Sequence, residues 1–380
     1  MAPSGTHSRT GSRVRLGLIG SGYINRGYAA GLHIGQVPDG ELVAIAGGRR
    51  APSLAAEFDA EVEPTVESLL GRDDIDGVII GSPHTAHLSQ TIAAAAAGKH
   101  VYVEKPMAIS VAECDRMIDA CRAAGVRFAV NKVLRFRLAP RAAKELIDEG
   151  VIGDVRVIRA RGSWTEYFIG DILGDDGRII VPAKPWALDL AEGTPYLSWG
   201  AHANDIIRWY SDSEAVLAFA RYRTFGDAAE PGLTASVVYE MANGVLADVL
   251  MTYELPEPGI LPADVTYIIG SKGMIDCDQY GAVRYTTGGE WRLHREQPAF
   301  DFLKDYLDPN RLLAFSDQVQ DFCRAILEDR EPAVTGWDGR QAVAMAIAAD
   351  LSAATGAAVR LPLSGEQERV GERGRLVSLP

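Results

Sequence analysis

The stretch LGLIGSGYIN, residues 16–25, decides the fold, because two glycines interrupt an apolar run just before a helical pattern. Gly20 permits a tight turn between strand and helix. Gly22 allows a pyrophosphate to approach the backbone at the helix N-terminus, where the first amides, at Tyr23 and Ile24, would bind it. The stretch therefore predicts a dinucleotide-binding strand–turn–helix unit.

Two further features bear on the ligand of this turn. A third Gly or Ala is usual where this chain has Asn25, which would loosen the helix–strand packing or contact the cofactor. The second predicted strand ends in Gly48, Arg49 and Arg50, with no acidic residue before Glu57. An acid there binds the ribose of NAD, whereas an arginine accepts the phosphate of NADP. The sequence therefore leans toward NADP, although solvated surface arginines explain the pattern equally well.

Five short apolar runs alternate with helical patterns over residues 14–132. They are rich in Val and Ile and lack polar alternation, which is typical of parallel strands buried on both faces. We therefore predict an α/β Rossmann domain, a doubly wound parallel sheet, over these residues. The predicted strands are 14–19, 42–46, 77–81, 100–104 and 127–130, and the predicted helices are 85–97 and 110–123.

After residue 133 the periodicity changes. Runs with period two follow a helix predicted at 138–149, and Asn243-Gly244 between two of them indicates a type I′ hairpin. We therefore predict an α+β domain with a large, mostly antiparallel open sheet over residues 133–363, followed by a polar C-terminal tail, 364–380. The predicted strands are 155–161, 215–221, 234–239, 245–253, 265–269 and 273–277, with a buried helix at 340–354.

Composition limits the partners. At 380 residues, two domains are the default expectation. The formal net charge of −13 argues against a nucleic-acid or anionic-membrane partner, since both need a basic face. No apolar run reaches membrane-spanning length, and the predicted disordered leader, residues 1–13, lacks the apolar region of a secretory signal. The four cysteines, at 114, 121, 277 and 323, form no metal or disulfide pattern, so we expect no metal and a cytoplasmic location.

The sequence Glu104-Lys105-Pro106 follows the fourth predicted strand. Ligands of open α/β sheets bind at the carboxyl ends of the strands. A lysine at such an end is costly unless it is used or paired, and Pro106 can hold it on a rigid turn, for which a cis peptide bond is one option. Lys105 is therefore a candidate functional residue.

With these motifs the chain resembles the Gfo/Idh/MocA oxidoreductases. Glu104-Lys105-Pro106 is the most specific match, and Ser82-Pro83-His84-Thr85-Ala86-His87 resembles the family's Thr-Pro-x-x-x-His turn. The segment with Asn131, Arg135 and Phe136 resembles the exit from the family's cofactor domain. Residues 200–205, Gly-Ala-His-Ala-Asn-Asp, resemble its Gly-x-His-x-x-Asp motif.

The resemblance implies roles for individual residues. Lys105 and His202 would be the catalytic pair, and Asp205 would bind substrate or orient His202. Many members have Asp at the position of Ser198, so here the base role falls on His202. Further cofactor-binding candidates are Ser82, Pro83, His84, His87, Glu104, Lys105 and Asn131, and substrate-binding candidates besides Asp205 are Lys105, Arg135, Ser198 and His202.

Residues 163–199 form a stretch of weak periodicity that is rich in aromatics. Such long loops are usually functional or disordered, and this one is too aromatic to be simply disordered. Its rings could stack on a sugar, although loop packing or subunit contact explains each of them equally well. The candidates are Trp164, Tyr167, Trp186 and Tyr196.

These features together predict an NAD(P)-dependent oxidoreductase that moves a hydride between nicotinamide and a secondary alcohol of a sugar, glycoside or cyclic polyol. A histidine suits removal of the hydroxyl proton, and a lysine beside it can stabilise the alkoxide. Within the fold, a redox-assisted glycoside-cleaving enzyme and a dihydrodiol dehydrogenase remain open. A non-catalytic cofactor-binding sensor is the alternative of another class. By analogy with the fold, we expect a homodimer or homotetramer.

Overall fold

The computed structural model describes residues 13–165, 172–173, 179–181, 189–225, 232–255, 263–298 and 308–369. The strands are β1 Val14–Ile19, β2 Gly40–Ala46, β3 Glu61–Glu63, β4 Gly77–Ile80, β5 His100–Val103, β6 Phe128–Val130, β7 Val155–Thr165, β8 Ile172–Leu173, β9 Ile179–Val181, β10 Ala215–Arg223, β11 Thr234–Met241, β12 Leu246–Leu255, β13 Ala263–Gly270, β14 Met274–Asp278, β15 Ala282–Thr286, β16 Arg292–Glu296 and β17 Val359–Arg360. The helices are α1 Tyr23–His33, α2 Ala51–Glu57, α3 Val66–Leu70, α4 His84–Ala96, α5 Val111–Ala124, α6 Leu138–Asp148, α7 Pro195–Ser211, α8 Pro309–Leu327 and α9 Gly336–Thr355.

The first sheet is parallel throughout, in the order β3-β2-β1-β4-β5-β6. This confirms the predicted doubly wound sheet, because the chain builds outward from β1 in both directions. Strand β1 has its predicted bounds, and Ser110 caps α5 by accepting from the Glu113 amide at 3.2 Å. The carboxyl ends of β1, β2, β4 and β5 meet at one edge, where the predicted cofactor residues lie.

The second sheet has nine strands in the order β16-β15-β14-β13-β7-β12-β11-β10-β17. Its pairs are antiparallel except β7 with β12, which confirms a mostly antiparallel sheet. The β11–β12 hairpin forms as predicted, but the type I′ turn is wrong. That turn needs positive φ at both central residues, and of the pair only Gly244 has it, at 86°.

Helices cover one face of the second sheet: α7 packs against the central strands β7 and β12, α9 against β10 and β17 at one edge, and α6 against β14, β15 and β16 toward the other. Helix α8 behaves differently, because it returns to the first sheet and packs beside α1. Its Leu312, Val319 and Phe322 share a core with Leu16 and Tyr28. The predicted assignment of all of 133–363 to the second domain is therefore wrong for α8. No helix in the described part of the chain has the length and apolar character of a membrane span.

Candidate active site at the junction of the two sheets

The glycine turn has the geometry that a pyrophosphate needs. Gly20 has φ of 101°, and a Cβ there would lie 3.0 Å from the Gly81 oxygen. Gly22 is the N-cap of α1, with no side chain capping the helix and no acidic residue in the first turn, where Tyr23 and Ile24 lie. Around a Cβ at Gly22 the nearest atom would be 3.9 Å away, so the approach is open. Exposed amides at a helix N-terminus fit a dinucleotide pyrophosphate.

Asn25 contacts the protein rather than a cofactor, so its predicted cofactor role is wrong. The side chain is fully buried, and its Nδ2 donates to the carbonyl oxygens of Ile19 and Gly20 at 2.9 and 2.8 Å. A Cβ at Gly81 would lie 2.1 Å from its Oδ1. Asn25 thus holds the glycine turn in place through main-chain hydrogen bonds, and the helix–strand packing stays tight.

The end of β2 lies beside the glycine turn. Gly48 has φ of 81°, and a Cβ there would clash with Ser21 Oγ at 2.3 Å. The same hydroxyl accepts from the Arg50 amide at 3.2 Å. Both Arg49 and Arg50 are exposed, so their guanidinium groups are available to a phosphate at this edge.

Lys105 reaches from the end of β5 to the second domain. Its peptide bond to Pro106 is cis, and its Nζ donates to the Ser198 oxygen of α7 at 3.2 Å. Burial lowers the pKa of Lys105, while the neighbouring Glu104 raises it. The half-buried ammonium therefore lies between the first sheet and the helix that carries His202.

Glu104 and Asn131 are buried and hydrogen-bonded next to Lys105, and their predicted cofactor contacts stay predictions. The Glu104 carboxylate is buried and accepts from Tyr28 Oη and Asn131 Nδ2, both at 2.5 Å. It also accepts from the Lys105 amide at 2.9 Å. Burial raises the pKa of Glu104, which these hydrogen bonds oppose. This network fixes the main chain at Lys105.

His202 lies one turn beyond Ser198 on α7 and is half-buried. Its pKa is far below the usual value, first because of burial and then because of the charges of Lys105, Lys132 and Arg137. Its Nδ1 is buried with no hydrogen-bond partner in the described part of the chain. A neutral imidazole close to a lysine ammonium is suited to accept a proton from an alcohol.

Asp205 does not orient His202, so that prediction is wrong. Its carboxylate is 1% exposed and forms a bidentate pair with Arg135, at 2.8 and 2.7 Å. Arg135 also donates to Asp338 at 2.9 Å. Both groups are committed to this ion-pair cluster, and the substrate contact of Arg135 stays a prediction. The cluster ties α7 to the segment that leaves the first sheet.

The turn after β4 is tied to its neighbours. His87 is fully buried, with Nδ1 3.0 Å from the Pro106 oxygen and Nε2 3.0 Å from the Ser82 oxygen. His84 Nδ1 donates to the Glu192 oxygen at 2.8 Å, and burial lowers its pKa to about 3. Main-chain oxygens thus contact both ring nitrogens of His87 and Nδ1 of His84, and the predicted cofactor contacts of the two histidines stay predictions. Ser82 and the exposed Pro83 remain at the cofactor edge.

The aromatic candidates divide into two groups. Tyr196 is fully buried, and its hydroxyl lies 3.0 Å from Tyr239 Oη and donates to Asn204 Oδ1 at 3.1 Å. It is a core residue, and its predicted substrate role is wrong. The other candidates, Tyr167 and Trp186, lie outside the described residues, as does the side chain of Trp164.

Comparison with known proteins identifies the family. Residues 14–132 match the oxidoreductase family model described as the NAD-binding Rossmann fold of GFO/IDH/MocA, and residues 141–276 match the GFO/IDH/MocA C-terminal domain. The chain belongs to the GFO/IDH/MocA family. The match confirms the resemblance seen in the motifs.

Individual relatives of this GFO/IDH/MocA chain differ in named activity. It is 34% identical to 2,7-anhydro-N-acetylneuraminate hydratase of Mediterraneibacter gnavus, over 40% of this chain and 41% of that relative, so the chain spans about two fifths of its length. It is 29% identical to 1,5-anhydro-D-fructose reductase of Ensifer adhaerens, over 91% of this chain and 98% of that relative. The structure of a probable dehydrogenase from Thermotoga maritima superposes with a TM-score of 0.75 at 25% identity, over 91% of this chain and 98% of that one.

The N-terminus of α7 in this family member is held from two sides. The Glu192 carboxylate accepts from the Thr85 amide at 3.0 Å and from its hydroxyl at 2.6 Å, at the start of α4. Thr194, the N-cap of α7, donates to Asp350 at 3.0 Å, and Tyr222 donates to the same carboxyl at 2.8 Å. Burial raises the pKa of Asp350 to about 7.

Sequence reasoning missed two cations near His202. Lys132 is 1% exposed, and its Nζ donates to the Ala201 oxygen at 2.9 Å. Arg137 is buried, with its guanidinium carbon 4.5 Å from the centre of the Tyr280 ring. The signal for Lys132 was present, since it follows the end of a predicted strand just as Lys105 does. Nothing local in the sequence indicated Arg137.

Proposed function

We propose that the chain is an NAD(P)-dependent oxidoreductase that moves a hydride between nicotinamide and a secondary alcohol of a sugar, glycoside or cyclic polyol. The observation that carries the proposal is the hydrogen bond from Lys105 Nζ to the Ser198 oxygen, one helical turn before His202. It joins the amine that follows β5 to the helix that carries the imidazole.

Each residue of the proposed site has its own role in binding or catalysis. The amides after Gly22 bind the pyrophosphate, and Ser82 and Pro83 line the edge beside it. The nicotinamide, when bound, supplies the hydride acceptor or donor. His202 takes the hydroxyl proton, since its lowered pKa leaves the imidazole neutral at pH 7. Lys105 holds the substrate oxygen and stabilises the negative charge that develops on it.

For the cofactor, we propose a preference for NADP over NAD. The family model names NAD, and this chain has exposed Arg49 and Arg50 beside Ser21 at the end of β2. An arginine at this place accepts the phosphate of NADP. We propose that both cofactors bind and that NADP binds more tightly.

A second candidate is an enzyme that oxidises its substrate only transiently and returns the hydride. One observation favours it: the relative from Mediterraneibacter gnavus is named a hydratase, and adding water to a substrate involves no net redox change. Such an enzyme would use the same lysine and histidine.

The experiment is a panel of sugars, glycosides, anhydro-sugars and inositols, tested with NAD and NADP separately. Reduced nicotinamide is followed by absorbance, and products are followed by chromatography. Net nicotinamide turnover supports the first candidate, and product formation with trace cofactor supports the second. No conversion of any substrate with either cofactor counts against both.

We further propose a homodimer or homotetramer in the cytoplasm, with the open face of the second sheet as the interface. Phe219, Val238 and Leu250 lie on neighbouring strands of that face, with side chains 37 to 45% exposed. Apolar residues grouped on an open sheet face favour association. The four free, buried cysteines are compatible with a reducing compartment.

A further inference from the structure

Lys132 occupies the same position on β6 as Lys105 does on β5. Strand β5 ends at Val103 and β6 ends at Val130, and these two residues are paired in register. Each lysine follows two residues later. Because the strands are parallel neighbours, both lysines leave the same edge of the sheet and meet the same helix, α7.

The two ammonium groups bind successive turns of that helix. Lys105 donates to the Ser198 oxygen at 3.2 Å, and Lys132 donates to the Ala201 oxygen at 2.9 Å. Ala201 directly precedes His202. The Lys132 main chain is also fixed, since its amide donates to Gln318 Oε1 of α8 at 2.6 Å. Lys132 therefore has a defined place against the turn that carries the imidazole.

The charge of Lys132 is not cancelled by a carboxylate in contact with it. Two acids act on it electrostatically, Asp205 of α7 and Asp338 of α9. Asp205 pairs with Arg135, and Asp338 pairs with Arg135 and Arg208, so both are already neutralised. Among the described residues no ion pair of Lys132 is formed, and burial lowers its pKa to about 8.

Among the described residues, the charged groups that act electrostatically on His202 are all cations: Lys105 after β5, Lys132 after β6 and Arg137 before α6. Each of them disfavours the imidazolium. Lys105 is half-buried at the cleft, whereas Lys132 is 1% exposed and sits behind the helix turn. Lys132 thus acts on the imidazole without contacting substrate.

We propose that Lys132 is a positioning residue for His202: its ammonium ties the preceding turn of α7 to the first sheet and places its positive charge against the turn that carries the imidazole. The inference rests on the proposed function in assigning His202 the base role. The hydrogen bond from Lys132 to the turn that precedes His202 stands on the structure alone.

The test compares Lys132→Met with the wild type by NMR of protein labelled at the histidine ring carbons, titrated from pH 8 down to the lowest pH at which the protein stays folded. Loss of a signal in His202→Gln assigns the resonance. We expect Lys132→Met to raise the pKa of His202 by about 0.5 to 1 unit, since one like charge is removed. Where activity is found, the acid limb of kcat/KM should move up by the same amount.

Lys99→Met is the matched control. Lys99 is also buried, and its Nζ donates to two main-chain oxygens, of Arg72 and Ile75, at 2.6 and 3.0 Å. It does not act on His202. This variant should leave the His202 resonance unchanged. If Lys132→Met does not fold, Lys132→Gln tests the charge with a hydrogen-bond donor retained.

Superimposable His202 titrations in the wild type and the Lys132 variant would overturn the inference, as would an equal change in Lys99→Met. The proposed function fails separately, if no substrate is converted by the wild type with either cofactor. In that case the NMR titration still decides the role of Lys132.

Discussion

Replacing Lys105 with methionine should lower turnover strongly while leaving the free energy of unfolding nearly unchanged. The ammonium makes one long hydrogen bond, 3.2 Å, to a main-chain oxygen of α7. Such a bond is worth about 1 kcal/mol or less in net stability. Methionine has a similar length and removes the cost of burying a charge, so the two effects offset each other. We expect the free energy of unfolding of Lys105→Met to stay within about 1 kcal/mol of the wild type.

The effect on turnover should be much larger. A positioned acid–base group contributes about 10²- to 10⁴-fold to rate. Since each tenfold corresponds to about 1.4 kcal/mol, the variant should lose about 3 to 5 kcal/mol of transition-state stabilisation. Cofactor binding should persist, because the glycine turn lies on β1 and α1 and does not involve the side chain of Lys105.

The assay is the initial rate of nicotinamide reduction with the best substrate of the panel, beside cofactor titration by fluorescence and thermal unfolding. Lys99→Met again serves as the control for losing a buried lysine, and it should retain activity. If Lys105→Met keeps kcat/KM within about tenfold of the wild type while binding substrate normally, Lys105 is not the group that holds the reacting oxygen.

Three further predictions follow from the contacts. Asp205→Ala should lower the free energy of unfolding by about 3 kcal/mol, because it leaves Arg135 buried with only Asp338 as partner. Adding Arg135→Met to this variant should recover part of the loss. Chemical denaturation of the single and double variants checks both expectations. Asp350 has a folded pKa of about 7, above that of an unfolded aspartate, so its contribution to stability is present at pH 4 and lost as the pH rises toward 7. The unfolding free energy of Asp350→Asn should lack this decline. If the unfolding free energies of the wild type and the variant depend on pH in the same way, the assignment is contradicted. Arg49→Gln combined with Arg50→Gln should raise KM for NADP about tenfold or more with little change for NAD, and equal effects on the two cofactors would show that neither arginine contacts the extra phosphate.

The sequence predicted the first sheet well because its signals are local. Apolar runs, cap residues and the glycine turn depend on neighbours within a few positions, and β1 has its predicted bounds. The same reasoning placed Lys105 at a strand end. The convergence of Lys105 and α7 came from the family motifs, since the two lie almost a hundred residues apart.

What the sequence did not predict depends on contacts between distant segments. Asp205 was assigned to His202 because the two lie three residues apart, but its partner Arg135 comes from 70 residues earlier and binds it bidentately. Tyr196 lies in an aromatic-rich segment, yet it begins α7 and its side chain points into the core. Helix α8 has no local feature that shows which sheet it covers.

The arrangement of α7 explains why an ordinary helix can hold a reactive imidazole in a fixed place. Four side chains from outside the helix bind α7 or the turn before it. Thr85 binds Glu192 in that preceding turn, Lys105 binds Ser198, Lys132 binds Ala201 and Arg135 binds Asp205. Three of these four partners follow neighbouring parallel strands or the segment that leaves them, so the register of the first sheet sets the spacing of the contacts along the helix. Two of the contacts bring the positive charges of Lys105 and Lys132 near His202, and both charges lower its pKa. The same contacts that join the two domains therefore also set the proton affinity of the imidazole, and a change that loosened α7 would alter both together.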